Sequence, residues 1–134
     1  MFCEAGDYTV IPFGYENIMP ELVNCGKSSN AKKVIKNISS SPDFALISRN
    51  KESVFLVEVK YRRRFDKKEI KNIAEEQKHR WHPSWLFIAT LDGFYFDSCS
   101  DIIKNDGEVT ALKNGWIKKN LQDKYLALLK KFER

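Results

Sequence analysis

The chain has 134 residues and a formal net charge of +5, with 43% hydrophobic, 13% aromatic and 31% charged residues. That length suits one domain, and the composition excludes collagen-like, low-complexity and wholly disordered chains. No apolar run reaches the roughly 18–20 residues of a membrane helix, and Met1–Asp7 carries two acids and no Lys or Arg, unlike a secretory or mitochondrial leader. The expectation is one cytoplasmic domain spanning residues 1–134, with no membrane partner. Cys3, Cys25 and Cys99 are odd in number and lack C-x-x-C spacing, so reduced thiols are expected rather than a disulfide scaffold or a zinc ribbon.

Tyr8–Phe13 is rich in β-branched and aromatic residues and reads as a strand, with Pro12 marking an edge or an end. Gly14–Gly26 reads as loop or short helix. Ser28 or Ser29 can cap a helix that places Ala31, Val34, Ile35 and Ile38 on one face. Ser39–Pro42 is turn material. Asp43–Ser48 and Ser53–Val59 read as strands joined by the polar link Arg49–Ser53, hence an antiparallel hairpin. The period then changes. Ile70, Ile73, Ala74, Gln77 and Trp81 share a helical stripe, and Asp66 is placed to cap it. Pro83 ends that helix, leaving His79 and His82 at the surface or a cleft rim. Trp85–Thr90 reads as a strand, Asp92-Gly93 as a tight turn, and Phe94–Phe96 as a returning strand. Trp116–Phe132 reads as a helix carrying Ile117, Leu121, Tyr125, Leu128, Leu129 and Phe132 on one face. A strand–helix–strand link over residues 54–90 predicts a parallel crossover and a mixed α/β sheet flanked by helices.

Charge is uneven along this order. Met1–Gly26 holds four acids and no base, whereas Lys60–Arg80 holds nine bases and four acids. Clustered Lys and Arg favour a polyanionic partner, although a solvated helix face has the same composition. Lys60-Tyr-Arg-Arg-Arg64 follows directly on a buried strand, so these cations sit at a fixed place on the sheet.

Glu58 is the anomaly. It interrupts the apolar run Phe55–Val59, where an ionised carboxylate costs several kcal/mol unless paired or metal-bound. The strand period of two sends Lys60 out on the same face. The hairpin brings Asp43, at the start of one strand, beside the end of the other. Asp43, Glu58 and Lys60 therefore converge at one sheet edge. Two carboxylates are hard oxygen ligands for Mg²⁺ or Mn²⁺, and an adjacent Lys can act on an anionic transition state.

Pro42-Asp43, fourteen residues, then Glu58-Val59-Lys60 resembles the PD-(D/E)XK nuclease superfamily, which includes type II restriction enzymes and archaeal Holliday-junction resolvases. The resemblance covers about Tyr8–Phe96. It implies a restriction-endonuclease-like fold and a Mg²⁺- or Mn²⁺-dependent endo- or exodeoxyribonuclease acting on DNA. Asp43 and Glu58 would hold the metal, with the Val59 carbonyl as a further ligand and Lys60 as the catalytic cation. Gln77, followed four residues later by Trp81, is similar to a Gln and aromatic pair in some exonuclease branches. Tyr61, Arg62, Arg63, Arg64 and Lys67 are the expected nucleic-acid contacts. Trp81 and Trp85 are placed in core packing rather than base stacking. The family usually opens with a helix carrying a Glu that faces the metal, and here only seven residues precede Tyr8. Glu16, or else Glu4, stands in for that carboxylate. A partner chain is another source, which makes a homodimer one expectation. The alternatives are a nucleic-acid-binding pseudo-nuclease without turnover, and a small interaction protein whose Glu58 is paired internally.

Overall fold

The computed structural model describes residues 1–2, 8–12 and 42–132. The helix expected over residues 28–38, together with Glu4 and Glu16, lies outside them. Among the described residues five strands form one sheet in the order β1-β2-β3-β4-β5.

The hairpin β2 (Phe44–Ser48) and β3 (Val54–Tyr61) forms from two apolar runs, in antiparallel register from Phe44↔Val57 to Ile47↔Val54. Its polar link closes on itself: the Ser48 hydroxyl donates to Asn50 Oδ1 at 2.6 Å and accepts the Ser53 N–H at 3.1 Å. β1 (Tyr8–Pro12) pairs antiparallel with β2 on the outer side, and Pro12 sits at the end of this edge strand, where a ladder donor is dispensable. Helix α1 (Lys67–Arg80) begins at Asp66, whose carboxylate accepts the Lys68 and Glu69 amides. That cap satisfies two of the N–H groups a helix start leaves without partners. β4 (Trp85–Thr90) then returns parallel to β3, from Val57↔Trp85 to Tyr61↔Ala89. β5 (Gly93–Ser98) turns back antiparallel at Asp92-Gly93.

Helices cover both faces of the sheet. On one, Ile70 and Ala74 of α1 pack with Leu86 and Ile88 of β4 and with Cys99 and Ile102 of α2 (Cys99–Lys104). On the other, Leu46, Val57, Phe87 and Phe96 meet Ile117 and the inner side of α3 (Lys119–Phe132). β4 is thus buried on both sides, which explains its unbroken apolar run. Trp85 packs among Phe55, Phe96 and Trp116 in this second layer.

Four expectations need correction. β3 runs on to Tyr61, so Lys60 and Tyr61 lie inside the strand rather than beyond it; parallel pairing with β4 extends the ladder. Along α1, Ile70, Ala74 and Gln77 are buried while Ile73 and Trp81 are only half-buried, because Trp81 is the C-cap residue. Helix α2 was not anticipated: six residues are too short for a periodic signal, although the Ser98 hydroxyl caps it by accepting the Asp101 amide at 3.1 Å. Finally, α3 starts at Lys119, and its Leu128 and Phe132 are 40% and 84% exposed. Gln122 takes the inward position instead, because its amide donates to the Leu112 and Ile117 carbonyls at 3.2 and 2.7 Å.

The loop after α2 fixes α1 in place. Lys67 and Lys71 pair with Glu108 and Asp106 at 3.1 and 2.8 Å. Gly107 has φ +90°, and a Cβ there would lie 2.1 Å from the Lys67 carbonyl oxygen. Gly107→Ala is therefore expected to cost at least about 2–3 kcal/mol, combining left-handed strain with a backbone clash. Thermal unfolding measures it, and a variant as stable as the parent would show that this approach is not required.

Candidate metal and phosphate site

The site is built where β2 begins beside the middle of β3. Asp43 stands just before β2 and is held twice: its N–H donates to the Val57 carbonyl at 2.9 Å, and its Oδ2 accepts the Val59 N–H at 2.7 Å. Phe44 pairs with the same Val57, so two residues oppose one, the local arrangement of a β-bulge, which re-aims a side chain. In a strand the N–H and C=O of one residue face the same neighbour. The Val59 carbonyl therefore leaves β3 on the Asp43 side.

Glu58 projects to the face covered by α1 and its side chain is 12% exposed. Gln77 Nε2 donates to Glu58 Oε2 at 3.2 Å, and Lys60 Nζ lies 3.9 Å from Glu58 Oε1. Burial of Glu58, the hydrogen bond with Asp43 and the Asp43 charge raise its pKa from 4.5 to about 8; Lys60 and Gln77 oppose this and lose. At 3.9 Å the Lys60 ammonium is too distant to offset burial and a facing carboxylate. Glu58 therefore keeps its proton well above the usual carboxylate range.

Asp43, Glu58, Lys60 and Gln77 are brought together, with Val59 beside them. Gln77 is buried at 7% exposure, so its place on the α1 stripe is explained by the carboxylate it meets. The expected phosphate contacts divide. Arg62 is tied down: Nε donates to Glu69 Oε1 at 2.5 Å and Nη1 to the Tyr61 carbonyl at 2.7 Å. Arg63 and Arg64 are exposed. Lys67 points to Glu108 at 3.1 Å rather than to the carboxylates. Glu69 escaped sequence reasoning, since no period links it to Arg62. The Asp66 cap, which places Glu69 in the first helical turn, was the available signal.

Among the described residues no group of three or more His, Cys, Asp or Glu comes together. The pair nevertheless suits a hard cation. Mg²⁺ is commonly held by one or two carboxylates, waters and substrate phosphates, and two facing carboxyls that retain a proton present the charge a divalent ion would neutralise.

The fold and site define a mixed α/β domain with a paired-carboxylate centre. No protein-family model matches the chain, and no match was found among curated proteins or solved structures. Among the described residues no helix is long and apolar enough to cross a membrane.

Proposed function

We propose that this chain is a metal-dependent deoxyribonuclease of the PD-(D/E)XK type, hydrolysing DNA phosphodiester bonds. The observation that carries this reading is the convergence of Asp43, Glu58 and Lys60 at the entry of β2, with Gln77 fixing Glu58 from α1. The order of elements supports it: an antiparallel hairpin carries the motif, and a helix links its second strand to a parallel neighbour.

Asp43 and Glu58 would hold Mg²⁺ or Mn²⁺, with the Val59 carbonyl beside them. The ion, when bound, would lower the pKa of its water and offset charge on the phosphate. This chain's own groups do the rest. Gln77 orients the Glu58 carboxylate. The Val59 amide holds Asp43. The Lys60 ammonium, 35% exposed at its side chain, faces solvent near the carboxylates, where it can stabilise the anionic transition state. Arg62, Arg63 and Arg64 follow closely on Lys60 in the chain and would hold phosphates.

The test is cleavage of supercoiled, linear and branched DNA in Mg²⁺, Mn²⁺ and EDTA. Cutting in either metal and its loss in EDTA are the expected results. Cutting that persists in EDTA would overturn the reading. A protein that binds DNA but never cuts in any metal would be a pseudo-nuclease.

A further inference from the structure

Resting on the nuclease reading, we infer that Glu69 is a positioning residue that presents Arg62 as a fixed, two-pronged receptor for the phosphate next to the scissile one. Strand β3 displays Glu58 and Lys60 on one face, because successive side chains alternate, and Arg62, one residue past its end, continues the ladder by donating its N–H to the Ala89 carbonyl at 3.0 Å. Residues two apart in a strand are about 6.6–6.8 Å apart. Arg62 is therefore the next cation in line beyond Lys60, one strand period further from the carboxylates.

Its guanidinium is held at two points. Nε donates to Glu69 Oε1 at 2.5 Å, and Nη1 to the Tyr61 carbonyl at 2.7 Å. A guanidinium has five N–H donors in a rigid fork. Those two bonds occupy Nε–H and one Nη1–H. Both Nη2 hydrogens and one Nη1 hydrogen take part in neither bond, and a pair drawn from the two Nη atoms is what binds a phosphate through two parallel hydrogen bonds. The Arg62 side chain remains 32% exposed. Glu69 itself is fixed by the first turn of α1, where its own amide donates to the Asp66 cap at 3.4 Å. The cap thus sets the helix start, the helix start sets Glu69, and Glu69 sets the plane of Arg62. Arg63 and Arg64 are exposed and supply charge next to this fork.

Positioning and charge have different signatures in binding. Removing a cation that binds a phosphate flattens the slope of log K against log[salt] by about 0.9 on duplex DNA. Removing the residue that aims the cation lowers affinity and leaves the slope, since the charge stays. Binding of a short duplex is to be measured at several salt concentrations in Ca²⁺, with cleavage kinetics in Mg²⁺ alongside. Arg62→Ala should flatten the slope and weaken binding about tenfold. Arg62→Lys should keep the slope and still lose affinity, because an ammonium has no fork. Glu69→Ala should weaken binding several-fold at unchanged slope, raising KM with little change in kcat. Glu69→Gln, which still accepts from Nε, should restore binding to near the parental value.

Tighter binding by Glu69→Ala would mean that Glu69 masks Arg62, and would overturn the inference. So would parental binding by both alanine variants, or a parent that does not bind DNA. A parent that binds DNA in this pattern but never cuts would leave the Arg62 receptor standing and remove the nuclease reading alone.

Discussion

Lys60→Ala is expected to lower cleavage by at least about 10²–10³-fold, the range seen when one preorganised group facing a transition state is removed. Metal and DNA binding should stay close to the parent's. Lys60 is 3.9 Å from Glu58 and is neither of the two carboxylates, so its loss leaves both carboxylates in place. Changing Arg62, Arg63 and Arg64 together to Ala should have the opposite profile. DNA binding weakens, and the salt slope flattens by about 0.9 for each phosphate that is no longer neutralised. On the proposed reading the two variants separate because Lys60 would act on the transition state, whereas the arginines would contribute binding shared by ground and transition states. Single-turnover cleavage with saturating enzyme isolates the chemical step. A Lys60→Ala protein that cuts at the parental rate would remove Lys60 from the mechanism.

Stability of the metal-free protein should fall as pH rises from about 4.5 to about 8, the interval between the ordinary and the folded pKa of Glu58. Below that interval the carboxyl is protonated in both folded and unfolded chains, and the full contribution is present. Within it the unfolded chain ionises while the folded one keeps its proton, so the folded state loses about 1.4 kcal/mol for each pH unit. Above it the loss levels off, at a few kcal/mol in total. Glu58→Gln keeps the amide-sized group and removes the titration. In EDTA its unfolding free energy should be flatter across this range, and it should exceed the parent's at about pH 9. On the proposed reading Mg²⁺ should restore parental stability at high pH, since the ion would take the place of the proton and bind the folded state. Urea unfolding at intervals from about pH 4.5 to about pH 9, with and without Mg²⁺, measures all three. If parent and Glu58→Gln share one pH profile, Glu58 does not carry a raised pKa.

Much of this architecture is written in local periodicity. Ser53–Val59 and Trp85–Thr90 are apolar runs that fit strands buried in a sheet, and Asp66 with the Ile70, Ala74 and Gln77 stripe fits one capped helix. A strand period of two was enough to place Lys60 and Glu58 on one face. A hairpin of known link length was enough to bring Asp43 toward them. Each of these inferences uses residues a few positions apart, whose relative directions are fixed by backbone geometry alone.

Contacts between elements distant in the chain were decided by the tertiary structure. The hydrogen bond from Val59 to Asp43 depends on how β2 enters its register. Gln77 meets Glu58 because α1 packs on that face of the sheet against Leu86 and Ile88 of β4, and Arg62 meets Glu69 because the helix starts where Asp66 caps it. The pKa of Glu58 was likewise out of reach of the sequence, which names the carboxylate and its neighbours in the strand. Its value follows from burial under α1 and the facing Asp43 carboxyl set against Lys60, contributions from groups that packing assembles and whose sum depends on distance and solvent exclusion.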